Sequence, residues 1–335
     1  MGLYVWRQAA MDIEAHRLRG TDWRRAASDS TRASMACGHE ARHRGLGDER
    51  REEALVGRSA PKPYVPVASA GMLSALQDAL RQRPRGLLTD IDGTLSAIAP
   101  TPEQARLLPG VRGLLRASVE RFDTVAAISG RAANDARRMV GVRTLTYVGN
   151  HGLEVLTPDM RRPQIAPEAQ PYIAVIAECL RQARQRLEPR FTGLIFENKG
   201  VTGGVHYRLA PDPAQARLAI RETLEALTSE RQVKLTEGRM VFELRPPLRL
   251  DKGTSVTRLA HERGLKSAIY LGDDRTDIDA FLALRRLREQ GGRAGFAVAI
   301  NHAEAPQELR ETADIVLSSI EETPHFLRWL LDMAE

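Results

Sequence analysis

Cysteine is scarce in this chain: Cys37 and Cys179 are its two among 335 residues. One stands in a polar N-terminal tract and the other in a predicted helix, so neither a disulfide framework nor a thiolate metal site is indicated. Metal chemistry must come from oxygen or imidazole ligands. From His151 onward the histidines are widely separated and show no compact zinc spacing, which leaves oxygen as the expected donor. No stretch approaches the roughly 20 apolar residues of a membrane span, and the first residues lack the compact apolar run of a signal peptide. The expectation is a cytoplasmic protein with no membrane partner. The formal charge of +6 sits among 27% charged residues of both signs, an ordinary soluble surface. Acidic residues are interspersed around Arg17-Leu18-Arg19 and Trp23-Arg24-Arg25. No basic and stacking pattern is dense enough there to read as a nucleic-acid partner's site.

With 42% apolar residues the chain can bury a substantial core, and its length exceeds one average domain. Residues 1–66 carry few apolar anchors and end in a Pro-rich stretch, Ser59 to Pro66. They read as a weakly structured basic extension, expected to be dispensable, with no docking partner identifiable. From residue 67 the pattern is regular. A helix over Gly71–Leu80 precedes a short buried strand, Gly86–Thr89, that ends at Asp90. A helix over Arg106–Arg121, interrupted or begun by Pro109-Gly110, leads to the strand Thr124–Ile128, which ends at Ser129. Alternation of helix and strand is what a parallel sheet requires. It returns after residue 250, with a helix near Ser255–Arg263 and a strand Ser267–Leu271 leading into Gly272-Asp273-Asp274. A helix through Phe281, a strand Phe296–Ile300 and a last strand near Ala313–Leu317 follow. One parallel-sheet core is therefore predicted in two pieces, 67–150 and 246–335.

The segment between them, 151–245, changes character. Ile173, Ile176, Leu180, Ala183 and Leu187 recur on one face of a helix. Strands are expected at Thr192–Glu197, Gly204–Arg208, Val233–Thr236 and Met240–Arg245, with a second helix near Ala214–Leu227. Val233 with Leu235, and Phe242 with Leu244, alternate with polar neighbours, as in a sheet with one apolar face. The reading is an inserted α+β cap whose polar face carries His206, Arg208, Glu243 and either Glu197 or Lys199.

In a parallel sheet, ligands collect beyond the carboxyl ends of the strands. Asp90-Ile91-Asp92-Gly93-Thr94 follows one apolar strand directly, and Gly272-Asp273-Asp274-Arg275-Thr276-Asp277 follows another. Asp-Gly alone is also a common turn pair. Several carboxylates delivered to one rim repel one another, and an oxygen-rich cluster suits magnesium. Ser129, at a strand-to-helix junction, offers a hydroxyl where phosphate is favoured, and Lys252 a positive charge. Taken singly they read equally as a helix cap and a solvated lysine. His151 reads as either a turn residue or a substrate contact.

Together these segments resemble the haloacid dehalogenase superfamily. Asp90-Ile91-Asp92-Gly93-Thr94 matches its first motif, Ser129 its second, Lys252 its third, and Gly272-Asp273-Asp274 with Asp277 its fourth. The chain resembles trehalose-6-phosphate phosphatases more closely, over about residues 68–332. The segments that carry this are Ile128-Ser129-Gly130-Arg131, Gly149-Asn150-His151-Gly152, Glu197-Asn198-Lys199-Gly200 and His206-Tyr207-Arg208. Ile278 stands where the family commonly has an acidic residue, and Pro247–Leu250 also depart from its pattern. The resemblance implies a haloacid dehalogenase-like parallel-sheet core with an inserted cap, and magnesium-dependent hydrolysis of trehalose 6-phosphate, a small phosphorylated disaccharide, through an aspartyl-phosphate. Asp90 would be the nucleophile and Asp92 the acid and base, with Ser129 and Lys252 offsetting phosphoryl charge. Asp90, Asp92, Asp273, Asp274 and Asp277 would form the metal site, Asp92 through its carbonyl and Asp274 or Asp277 orienting the shell. Arg131, His151, Glu197, Lys199, His206, Arg208 and Glu243 are the candidate substrate-binding residues. A phosphatase of another sugar phosphate and a non-catalytic sugar-phosphate-binding protein are the alternatives.

Overall fold

The computed structural model describes residues 64–334. The expected extension lies outside the described residues up to residue 63. Tyr64 is anchored, its hydroxyl donating to Glu322 Oε2 at 2.9 Å.

In chain order the first half holds α1 (Ala70–Arg81), β1 (Arg85–Thr89), α2 (Val111–Arg121), β2 (Thr124–Ile128), α3 (Ala133–Val140), β3 (Thr146–Gly149), β4 (Glu154–Leu156) and β5 (Gln164–Ile165). Then come α4 (Tyr172–Leu187), β6 (Ile195–Asn198), β7 (Gly203–His206), α5 (Pro213–Thr228), β8 (Lys234–Gly238) and β9 (Val241–Arg245). The chain closes with α6 (Lys252–Glu262), β10 (Ser267–Gly272), α7 (Arg275–Glu289), β11 (Ala294–Ile300), α8 (Gln307–Thr312), β12 (Ile315–Leu317) and α9 (Thr323–Met333).

The larger sheet runs β12-β11-β10-β1-β2-β3-β4-β5. It is parallel from β12 to β3, and β4 and β5 add to it antiparallel. Its central strands are apolar on both faces because helices cover both. Leu87, Val125, Ile269 and Val298 enter one core with α1, α2 and α9. Their neighbours Leu88, Ala126, Tyr270 and Ala297 enter the other, with α6 and α7. The smaller sheet, β6-β7-β9-β8, is antiparallel. Val205, Phe242 and Leu244 bury one face of it against Ile176, Leu180, Ile220 and Leu224 of α4 and α5. Its other face is left for polar residues.

Several boundaries differ from expectation. β4 and β5 lie within the interval 151–245 assigned to the cap, yet they extend the larger sheet. Strands of three and two residues are too short to show periodicity, so sequence reasoning overran them. α3 and β3 were not anticipated. The expected strand at 192–197 starts at Ile195, because the chain turns at Gly193 with φ 77°, where a Cβ would lie 2.1 Å from the Leu209 carbonyl oxygen. Arg208 falls beyond the end of β7. α6 begins three residues early at Lys252, since Asp251 caps it: its carboxylate accepts from Thr254 N at 2.7 Å while its own N–H donates to Thr254 Oγ1 at 2.9 Å. Of the two departures from the family pattern, Ile278 is buried, whereas in 247–250 Leu248 and Leu250 are half-buried and Pro247 and Arg249 exposed. Ile278 is 5% exposed in the α6–α7 core, and Leu248 and Leu250 pack with Leu153, Ala169 and Val201 where the chain crosses between the sheets.

Candidate active site

β1 lies between β10 and β2, so Asp90, Ser129 and Asp273 emerge side by side at one rim. Asp90 N donates to Leu271 O at 2.8 Å, and Ser129 N to Val148 O at 2.9 Å, which continues the ladder pattern to the rim. Gly93, with φ 91°, lets the chain turn back: a Cβ there would lie 2.0 Å from Asp273 Oδ2. Every predicted site residue except Asp277 lines one cavity of about 250 Å³.

Asp277 is buried beneath that cavity, and both of its oxygens are taken. Oδ1 accepts from Lys252 Nζ and from the Tyr270 hydroxyl, each at 2.7 Å. Oδ2 accepts from Asp273 N and Asp274 N, each at 3.0 Å. Asp274 is the N-cap of α7, its Oδ1 accepting from Thr276 N at 2.8 Å and Thr276 Oγ1 at 2.7 Å. These two carboxylates therefore shape the loop. Lys252, held at the first turn of α6, bridges Asp277 to Asp90, 3.1 Å away. Burial alone would lower the Lys252 ammonium, but Asp277 and Asp90 more than reverse this and hold it well above its ordinary value. Burial raises Asp90 well above the carboxylate range; Lys252 opposes this, and Asp277, Asp273 and Asp274 add to it.

The donor set fits a hard divalent cation. Asp90, Asp273 and Asp277 present buried ligand atoms all within 4.8 Å of one another. With Asp277 saturated, Asp90 and Asp273 are the available carboxylates. Asp273 Oδ1 accepts from Thr94 Oγ1 at 3.0 Å, whereas its buried Oδ2 has no hydrogen-bond donor among the described residues. His302 Nε2 lies 3.3 Å from that oxygen and 3.2 Å from the Asp273 carbonyl oxygen. The Asp92 carboxylate is turned to Arg131, which holds it at 2.6 and 2.7 Å through two guanidinium nitrogens.

The opposite wall is the polar face of the smaller sheet. Register places Glu197 opposite Gly204 and Gly204 opposite Glu243, so the two carboxylates flank a residue without a side chain. Lys199 Nζ enters this space, donating to Glu243 Oε1 at 3.1 Å and to Gly130 O of the core at 3.2 Å, with Glu197 Oε2 at 3.7 Å. His206 Nε2 meets Glu197 Oε2 at 2.9 Å, and His151 Nε2 stands 3.5 Å from Glu243 Oε2. Burial opposes the Glu243 charge, yet Lys199 and His151 hold its carboxyl well below the usual range.

Sequence reasoning missed several groups. Arg239, at the β8–β9 turn, lines the cavity and pairs with Glu304 at 3.1 Å. His302 follows a parallel strand, so the strand-end rule that singled out Asp90 could have found it. Asn150 stands within a segment that carries the family resemblance and directly after β3, yet it was not singled out; Tyr270, inside an apolar strand, carried no such signal.

Comparison with known proteins shows what the chain and its fold are similar to. Residues 88–316 match the family described as trehalose-phosphatase. The trehalose-phosphate phosphatase of Mycobacterium tuberculosis is 34% identical over 265 residues, 74% of this chain and 65% of that protein, so the chain spans less than two thirds of that relative's length. The C-terminal domain of the Candida albicans trehalose-6-phosphate phosphatase shares the fold with a TM-score of 0.63 at 21% identity, over 82% of this chain and 99% of that one. A haloacid dehalogenase-like hydrolase from Bacteroides thetaiotaomicron shares it at 0.51 and 14% identity, over 73% of this chain and 99% of that one. By its sequence match this chain belongs to the trehalose-phosphatase family, and its fold is one that a haloacid dehalogenase-like hydrolase shares.

Proposed function

We propose that the chain hydrolyses trehalose 6-phosphate to trehalose and phosphate, with Asp90 as the nucleophile. The observation that carries this reading is one cavity walled on one side by Asp90, Ser129 and Lys252 and on the other by Glu197, Lys199 and Glu243. Its size admits a small molecule and excludes a folded partner. Asp90 and Asp273 would hold magnesium with the Asp92 backbone carbonyl, and the ion would supply charge stabilisation at the phosphoryl oxygens.

In the first step a carboxylate oxygen of Asp90 bonds to phosphorus as the bond from phosphorus to the sugar oxygen breaks, and Asp92, freed from its pairing with Arg131 and protonated, gives that oxygen its proton. Water then attacks the aspartyl-phosphate, Asp92 takes up the proton released, and the Asp90 carboxylate is restored. Lys252 and Ser129 offset charge on the moving phosphoryl group. Glu197 and Lys199 discriminate the disaccharide: each is held by partners, so an ill-fitting sugar would leave buried polar groups unpaired.

Phosphate release from trehalose 6-phosphate, sucrose 6-phosphate, glucose 6-phosphate and an aryl phosphate tests the substrate. The first should have the largest kcat/KM; a clear preference for another sugar phosphate would reject it even with Asp90 chemistry intact. Glu197→Ala should lower kcat/KM for trehalose 6-phosphate by about tenfold or more, on the scale of a lost polar contact, and spare the aryl phosphate. Equal losses on both would deny Glu197 its selective role.

A further inference from the structure

We infer that Asn150 is a positioning residue that mounts the cap's Lys199 loop and the core's Ser129–Arg131 loop on one rigid turn, an inference that rests on the function proposed above. Asn150 is fully buried and adopts φ 50°, and His151 follows it at φ 56°. Two successive non-glycine residues in the left-handed region are uncommon and persist only where the surroundings over-determine them.

The backbone of this turn faces the core loop. Asn150 N donates to Arg131 O at 2.8 Å and His151 N donates to Ser129 O at 3.0 Å, bracketing the turn that presents the Ser129 hydroxyl and the Arg131 guanidinium. The Asn150 side chain, which also meets the Glu154 carboxylate of β4, reaches the cap loop. Its Nδ2 donates to Lys199 O at 3.2 Å and its Oδ1 accepts from Thr202 Oγ1 at 2.5 Å. That cap loop is itself closed by Lys199 N donating to Thr202 O at 3.0 Å. The Lys199 ammonium then returns to the core and donates to the Gly130 carbonyl oxygen.

The circuit runs from the phosphate loop through Asn150 to the cap loop and back, so a shift of either loop moves the other's contact group. Asparagine suits the place because its short amide tolerates left-handed backbone and supplies both a donor and an acceptor. Aspartate lacks the donor and glycine has neither group.

The test is a double-mutant cycle read on two substrates. Asn150→Gly keeps the backbone conformation accessible and removes the amide; Thr202→Val removes only the hydroxyl that donates to it. Each should lower kcat/KM for trehalose 6-phosphate by about tenfold, and change aryl-phosphate hydrolysis, which does not need Lys199, by less than about threefold. In a Lys199→Ala background the loss from Asn150→Gly should shrink at least about fivefold, because the two residues act through one network. Equal losses on both substrates, or an undiminished loss in the Lys199→Ala background, would overturn the coupling and leave Asn150 a purely structural residue. If Asn150→Gly does not fold, Thr202→Val carries the same cycle. If the unmodified protein prefers another sugar phosphate, the substrate reading fails, and the cycle run on the preferred substrate still decides the role of Asn150.

Discussion

Lys252 is 2% exposed and Asp90 4%, and an ammonium buried that deeply persists only when it is paired and hydrogen-bonded. Lys252 is shared between two carboxylates with different duties. Asp277 spends all its acceptor capacity on Lys252, Tyr270 and two backbone N–H groups, whereas Asp90 faces the cavity. This division makes Asp90 the nucleophile to test. Asp90→Asn preserves shape and removes the attacking oxygen anion, so it should abolish metal-dependent phosphate release in a steady-state assay. Chelation should silence the unmodified protein and added magnesium restore it. Full activity in a verified Asp90→Asn protein would sink the assignment. The residue pairs of this rim were legible because strand ends carry chemistry. The saturation of Asp277 was not, since it depends on Tyr270, which the sequence presents as one more apolar strand residue.

Each group proposed to react stands near the edge of a regular element. α6 starts at Lys252 because Asp251 caps it, and that cap holds the ammonium at the rim against the unfavourable N-terminal end of the helix dipole. Asp251→Ala removes the capping bond to Thr254 and should cost about 1 kcal/mol in denaturant unfolding. It should also lower kcat, since Lys252 loses its fixed anchor; unchanged stability together with unchanged kcat would show the cap to be idle. The long apolar strands and the amphipathic helices of the cap were readable from periodicity. β3, β4 and β5 were not, because strands of four, three and two residues present no period and gain their identity only by pairing with the edge of an existing sheet.

At the scale of the whole molecule, cap and core meet through ionisable groups, which makes stability depend on pH. Burial holds the His151 imidazole below its ordinary value, with Glu243 only partly opposing and Arg245 and Lys252 reinforcing the shift. The unfolded chain therefore binds a proton more readily than the folded one, and stability falls as pH drops through about 6.5, the ordinary imidazole value. Glu243, held low, adds a loss of the same sign at more acid pH, beginning near the ordinary carboxylate value. His302, raised by its contact with Asp273, works the other way, its contribution present in acid and lost as pH rises. The readout is therefore a difference: between about pH 7.5 and 5.5, a window that spans the ordinary imidazole value, Tm should fall more for the unmodified protein than for His151→Gln. Parallel profiles would reject the contribution of His151.

The sequence by itself determined the parallel core, the insertion of an α+β cap and the rim positions of Asp90, Ser129 and Asp273. A strand buried on both faces must be apolar throughout, and its carboxyl end must open where polar residues first appear. Tertiary structure alone decided which carboxylates remain free, because that depends on donors arriving from elsewhere in the chain. Arg131 reaches Asp92 across 39 residues, Asn150 reaches Lys199 across 49, and Lys199 reaches Gly130 across 69. No local pattern encodes such meetings. They follow from the order of strands at the rim and from the angle at which the cap sheet lies over it, and these exist only once both cores are packed.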